Sequence, residues 1–193
     1  PINLAIIFDQ EVQSGGGFQQ GLNAAILALK INPDLAKINI FHTKKNIGKE
    51  LLKYDIHSKF INLSVLAKIY IYIKTTERFR ILYKFLKIIF DFCFLESFLK
   101  KEKIDLVYFI SPSRYAMDLD KLNFIYTVWD ICHLDQLEFP EIKEKNEFNN
   151  RELKLRLTIK RATSIIVDSK FGKNNLIKKS NVESNRISVI PFE

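Results

Sequence analysis

Two side chains suited to proton chemistry stand three positions apart in the run Tyr126-Thr127-Val128-Trp129-Asp130-Ile131-Cys132-His133. His133 titrates near neutrality, as general acid–base work requires, and Asp130 could orient it or stabilise its charged form. Trp129 offers a flat apolar wall of the sort a sugar ring packs on. Glu138 follows in the same stretch, ahead of Phe139-Pro140-Glu141. Cys132 beside His133 raises a thiol nucleophile or a metal ligand, but no third ligand or base has suitable spacing. No metal and no cofactor are therefore expected, and a purely structural role remains the alternative for His133.

A second constellation is Ser14-Gly15-Gly16-Gly17. Consecutive glycines let the backbone approach a ligand closely, and a helix opening behind them turns free N–H groups toward an anion. A phosphate or a sugar hydroxyl would fit; the plain alternative is a glycine-rich turn without a ligand. A dinucleotide fingerprint fails, because its third glycine would fall on Gln20 rather than Gly21, and His42-Thr43 stand where an acidic residue is needed. A P-loop fails as well, since Gly48-Lys49 and Gly172-Lys173 are followed by Glu50 and Asn174. Ser111, Ser113 and Arg114 form a third group, with Arg114 able to hold a phosphate or carboxylate. Asp168 and Ser169 are expected to cap a helix. His57 is expected to be structural, and His42 has no acidic or nucleophilic neighbour in sequence.

These groups need elements to position them, and the chain alternates strand and helix. Short apolar runs predict strands over Ile2–Phe8, Lys37–His42, Lys59–Leu63, Asp105–Ile110, Asn123–Val128, Ser164–Val167 and Ile187–Ile190. Helical spacing of Phe18, Leu22, Ala25, Ile26 and Leu29 predicts a helix that Asn32-Pro33-Asp34 ends. Further helices are predicted over Ile47–Tyr54, Glu141–Ala162 and Lys170–Lys179, and Ser64–Lys103 reads as two helices meeting near Thr75-Thr76. Leu153, Leu155, Leu157 and Ile159 alternate like a strand, but the surrounding Glu, Lys and Arg favour helix. The rhythm gives an α/β, Rossmann-like, mainly parallel sheet with helices on both faces. In such sheets ligands sit beyond the carboxyl ends of the strands, where the three constellations lie.

The composition fits this scheme. The chain has 193 residues, 47% hydrophobic and 27% charged, which suits one domain with a sizeable core and excludes a disordered chain. Two cysteines exclude a disulfide scaffold and point to a reducing compartment. The longest apolar candidate, Ile81–Leu99, is broken by Lys84, Lys87, Asp91 and Glu96 and does not span a membrane. The formal charge is +8, compatible with nucleic acid, an anionic membrane or a merely Lys-rich surface. Residues 64–103 hold nine bases and four acids, a net of five positive charges, interleaved with aromatics. Phe79, Tyr83, Phe85, Phe90 and Phe94 read as core, which leaves no exposed stacking platform, and no nucleic-acid motif appears; nucleic acid is not expected as a partner.

Four of these motifs together resemble glycosyltransferase family 4. They are the first strand with its triple glycine and helix, and the strand ending Thr127-Val128-Trp129-Asp130 before Phe139-Pro140-Glu141. The others are Arg161-Ala162-Thr163-Ser164-Ile165-Ile166-Val167-Asp168-Ser169-Lys170 and Arg186-Ile187-Ser188-Val189-Ile190-Pro191-Phe192-Glu193. The resemblance implies the GT-B fold, two Rossmann-like domains across a cleft, with residues 1–193 as the N-terminal acceptor-side domain. The nucleotide-sugar domain, with its paired glutamates, is then expected outside this chain. It implies a retaining transferase of hexosyl or mannosyl type, moving sugar from a nucleotide-sugar donor to a saccharide or lipid-linked saccharide, as in bacterial surface-polysaccharide assembly. Gly15, Gly16 and Gly17 would lie near the donor phosphates. Many relatives carry His-Asp where this chain has Trp129-Asp130; His133 with Asp130 is the candidate to take over the catalytic role, in place of that histidine or as a Trp-Asp-x-x-His variant, and Trp129, Ser111, Arg114 and Glu138 are candidates to line the acceptor cleft. A cytoplasmic protein is expected, with the basic stretch 64–103 either docking it on the inner face of an anionic membrane or forming a solvated Lys-rich face, and residues 1–193 alone are expected to be inactive. The alternative is a non-catalytic sugar- or nucleotide-binding Rossmann-like module.

Overall fold

The computed structural model describes residues 1–10, 12, 15–135, 138, 142 and 146–191. Ser14, Phe139-Pro140-Glu141 and Phe192-Glu193, named above, lie outside the described residues. Seven strands form one sheet in the order β3-β2-β1-β4-β5-β6-β7, and every pairing is parallel. They are β1 (Ile2–Phe8), β2 (Ala36–His42), β3 (Lys59–Phe60), β4 (Leu106–Phe109), β5 (Asn123–Thr127), β6 (Ser164–Val167) and β7 (Ile187–Val189). The expected Rossmann-like α/β architecture is thus present. The third strand is shorter than the predicted Lys59–Leu63; past Phe60 only Ile61 N–H still bonds His42 O, at 2.9 Å, before Ser64 starts a helix.

Alternate residues of β1 supply two cores. Ile6 and Phe8 pack with Phe18, Leu22 and Ala25 of α1 (Gly16–Ala28) and with Ile47 and Leu51 of α2 (Lys45–Leu52). Ala5 and Ile7 face the larger core, reached by Ala67 and Ile71 of α3 (Val65–Lys74) and by Leu95 and Leu99 of α5 (Phe94–Lys101). Leu155 and Ile159 of α6 (Glu147–Arg161) and Leu176 of α7 (Lys170–Ser180) complete that face. The period-two leucines are therefore helical: Leu153, Leu155 and Ile159 are buried while Leu157 is exposed. Arg186 closes α6 by donating to Ile159 O at 2.7 Å and to Ala162 O, carbonyls the helix itself leaves unbonded.

The 64–103 stretch departs from expectation twice. A break does fall at Thr75-Thr76, where Thr75 Oγ1 donates back to Ile71 O at 2.7 Å. A second falls at Phe90–Cys93, so α3, α4 (Arg80–Ile89) and α5 are three helices. Of the aromatics read as core, Phe94 packs against the larger core, whereas Phe85 and Phe90 are exposed and Phe79 and Tyr83 only half-buried. The reason is topological, because α3 and α5 already cover the sheet and α4 lies outside them. No helix among the described residues is long and apolar enough to cross a membrane.

Candidate functional site

Strand order reverses between β1 and β4, opening a crevice at the carboxyl edge of the sheet. Asp9, directly after β1, ties this edge together. Its Oδ1 accepts from Thr43 Oγ1 at 2.7 Å and its Oδ2 from Ser113 Oγ at 2.8 Å, so one carboxylate spans the ends of β1, β2 and β4. Asp9 was not singled out above, although the rule of looking just past each strand reaches it.

Beside this anchor lies a cavity of about 230 Å³ lined by Gln10, Pro112, Tyr126, Val128, Trp129, Asp130, His133, Glu147, Arg151, Lys154 and Leu155. It brings Trp129, Asp130 and His133 together, as the spacing suggested. Its far wall comes from α6, where Glu147, Arg151 and Lys154 recur at helical spacing on one side. Tyr126 Oη and Trp129 Nε1 are buried with no hydrogen-bond partner among the described residues, and His133 Nε2, also buried, has only the Glu152 carboxylate at 3.6 Å. Two polar atoms without partners and one loosely paired imidazole nitrogen thus belong to residues around one cavity, an arrangement suited to a ligand rich in hydroxyls.

His133 is buried and sits edge-on to Phe148, with ring centroids 5.8 Å apart. Its Nε2 faces Glu152 Oε2 at 3.6 Å. Burial lowers the pKa of His133, and Glu152 pulls it back up. The carboxylate facing this imidazole is therefore Glu152. Asp130 is exposed, and its Oδ1 accepts from Cys132 N–H at 3.0 Å, closing the short turn Cys132–Leu134. Asp130 still raises the His133 pKa weakly, at longer range than Glu152.

Positive charge gathers on the same side. Arg114, exposed, stands 5.7 Å from the centre of the Tyr72 ring. Arg151 Nε donates to Glu147 Oε1 at 2.9 Å. Burial lowers the pKa of Lys154; Glu147 and Asp9 oppose that, while Arg114 and Arg151 add to it. Arg114, Arg151 and Lys154 also line an adjoining hollow of about 240 Å³ with Asn150 and Tyr72. Three cations with one carboxylate between them can hold an anionic group.

The remaining expected residues lie apart from this cavity's walls. Gly15 is the N-cap of α1 with φ 61°, the left-handed region that favours glycine, and a Cβ on Gly15 or Gly16 would meet nothing within 4 Å among the described residues. Among the described residues no side chain caps the first turn of α1, which includes Gly16 and Gly17. Gly21 takes the close-packing role that the fingerprint assigns one position earlier, since a Cβ there would lie 2.9 Å from Ile110 Cδ1. Ser111 is buried, its Oγ without a partner among the described residues, and Glu138 is exposed. Ser169 does cap α7, accepting from Gly172 N–H at 3.0 Å. His57 is exposed and His42 is buried beside Ser58.

No protein-family model matches the chain, and no curated protein matches it. Solved structures share its fold. A putative UDP-N-acetylglucosamine 2-epimerase from Listeria monocytogenes superposes with TM-score 0.61 at 15% identity, over 97% of this chain and 44% of its own. MnaA from S. aureus, in a co-structure with UDP, gives TM-score 0.58 at 16% identity over 98% and 43%. UDP-GlcNAc 2-epimerase from Neisseria meningitidis, bound to UDP-GlcNAc, gives 0.58 at 13% over 97% and 45%. The chain spans less than half the length of each, and the likeness is one of fold: a Rossmann-like α/β domain of the kind these UDP-sugar enzymes contain.

Proposed function

We propose that this chain is the acceptor-side half of a two-domain, GT-B-type enzyme that uses a nucleotide-sugar and transfers its sugar, with retention, to a saccharide or lipid-linked saccharide. The observation that carries this reading is the cavity at the carboxyl edge of β5. An indole wall, two partnerless polar atoms, the His133 imidazole and the cations Arg151 and Lys154 line it, which matches a hydroxyl-rich ligand carrying or adjoining an anion. The fold shared with UDP-sugar enzymes supports the sugar-nucleotide part. In this reading His133, backed by Glu152, holds a proton beside the reacting sugar, and Asp130 acts on it only through space. Trp129 packs on the acceptor ring, with Ser111 and Glu138 at its margins, and Arg114, Arg151 and Lys154 receive a phosphate or carboxylate. The first turn of α1 at Gly15–Gly17 receives the donor phosphates. Positive charge from side chains replaces a metal, so chelators should leave activity unchanged. Bacterial surface-polysaccharide assembly at the inner face of a membrane is the setting this reading favours.

Trp129 is the sole tryptophan of the chain, so its fluorescence reports on this cavity directly. Titration of residues 1–193 with saccharides and with UDP-sugars should give a saturable change with a saccharide, weakened at least about tenfold by Lys154→Gln. No response to any saccharide would remove the acceptor reading. Transfer should require the complementary nucleotide-sugar domain, and appreciable turnover by residues 1–193 alone would overturn the half-enzyme reading. Conversion of UDP-GlcNAc to its 2-epimer by the two-domain protein, without transfer, would replace the transferase by an epimerase. Binding without any turnover would leave a sugar-binding module.

A further inference from the structure

The least protein-like surface of the molecule is the outer face of α4. None of its ten residues is buried. Ile81, Phe85, Ile88 and Ile89 are 72%, 65%, 83% and 86% exposed, values at which apolar side chains stabilise nothing inside this chain. At about 100° per residue these four fall on one side of the helix. Tyr83 and Leu86, both half-buried, fall on the opposite side and hold α4 to the body, with the Tyr83 and Tyr70 rings 6.1 Å apart. Arg80, Lys84 and Lys87 occupy the strip along one edge of the apolar ridge, and Arg78 precedes it. Against these bases stand only Glu77, which pairs with Arg80 at 3.1 Å, and Asp91, which lies 3.6 Å from Lys87. The ridge continues into Phe90 and Phe92, both exposed and stacked at 5.8 Å. The adjoining α3 adds a second exposed row in Val65, Leu66 and Ile69.

We infer that α4 is a docking element for an anionic lipid bilayer, lying flat in its surface with the isoleucines and Phe85 among the acyl chains and the bases at headgroup level. The charge decides the occupant. A second copy of this chain would bring the same bases against themselves, whereas an anionic bilayer meets both the apolar ridge and its cationic edge. The helix is too short and too charged to span, but flat insertion needs only one apolar side. This surface is separate from the β5 cavity and stands whether or not the transferase reading holds. If both hold, it brings the acceptor cleft to the surface where a lipid-linked saccharide lies.

Co-sedimentation of residues 1–193 with vesicles tests this without any sugar chemistry. Vesicles of phosphatidylcholine with about one-third phosphatidylglycerol should bind the chain at least about tenfold more tightly than phosphatidylcholine alone, and 0.5 M salt should weaken binding. The double variant Phe85→Ser/Ile88→Ser should lose binding about tenfold or more, as should Lys84→Glu/Lys87→Glu. Because these side chains are largely exposed and the one ion pair lost, Lys87 with Asp91, is itself exposed, both variants should keep the far-ultraviolet spectrum and nearly the melting temperature of the parent. Equal binding to neutral vesicles, or none to either, overturns the inference. So does a concentration-dependent dimer, seen by sedimentation velocity, that Phe85→Ser/Ile88→Ser abolishes while vesicles go unbound.

Discussion

His133 shows how a residue's neighbours redefine its chemistry. Sequence places Asp130 three positions away, but helix α6 brings Glu152 to 3.6 Å of its Nε2, and that carboxylate supports the charged imidazole. Burial wins overall, so the folded pKa lies below the ordinary 6.5. The sign follows: the unfolded chain binds the proton first, so the stability contributed by His133 is present above pH 6.5 and lost as pH falls through the folded value. His42, also lowered by burial, adds a loss of the same sign. Glu152→Gln removes the partner that raises the pKa, with Arg151 opposing and Asp130 assisting from farther off. The imidazole C2–H titration followed by NMR should shift to lower pH in this variant; an unchanged midpoint would deny Glu152 its role. Glu96 is the opposite case. Burial would raise its pKa, yet Lys100 and the N–H groups of Asp120, Lys121 and Leu122 hold it down at about 2. Its stabilisation is full above the ordinary 4.5 and lost as pH falls through about 2. Glu96→Ala strands three N–H groups at the start of β5 and should cost about 1–3 kcal/mol in urea melts at pH 7, with a shallower loss in acid.

Element boundaries were legible wherever a side chain enforces them. Ser64 starts α3 by accepting from Ala67 N–H at 3.2 Å, and Ser169 starts α7 in the same way. Strands buried on both faces stood out as unbroken apolar runs, which is why β1 and β6 have the predicted limits. The site was half legible. Trp129, Asp130 and His133 share one loop and so one line of text, but Glu147, Arg151 and Lys154 read as the solvated side of a charged helix. Only the packing of Leu155 against the sheet turns that side toward the cavity. Phe85 and Phe90 misled because aromatics at helical spacing look the same whether the third dimension supplies a core or not. Two substitutions test local geometry. Lys103 ends α5 at φ 58°, where an L side chain is strained, and its neighbour Ile104 N–H bonds Leu99 O at 3.1 Å. Lys103→Gly should therefore stabilise by up to about 1 kcal/mol, visible as a raised urea midpoint with unchanged slope. Gly48 lies under His42: a Cβ there would come within 2.6 Å of Cε1. The ring is held by Ser58 at 3.0 Å and would have to give up that bond to swing clear. Gly48→Ala should lose about 1–3 kcal/mol to overpacking, outweighing the roughly 1 kcal/mol that alanine gains in helix propensity.

At the scale of the whole molecule, stability and exposure are distributed unevenly, and the pattern separates scaffold from working surface. Ala5, Ile6 and Ile7 of β1 are almost fully buried, and β1 pairs with both β2 and β4, so opening it would disrupt both cores at once. Its amides, with those of β4 and β5, should exchange with solvent only through global unfolding. Helix α4 is held by Tyr83 and Leu86 and buries no residue, so opening it exposes little new apolar surface. Its amides should exchange at least about a hundredfold faster than those of β1, with a free energy nearly independent of low urea concentrations, because the denaturant slope follows the area exposed. Native-state hydrogen exchange in 0–2 M urea measures both quantities in one series. If α4 instead shared the steep urea slope of β1, the helix would belong to the cooperative core, and its apolar ridge would have to be read as packing that supports the fold. If it exchanges locally, the ridge is carried at little cost to the scaffold. The same amides should then slow when anionic vesicles are added, while those of β1 keep their rates.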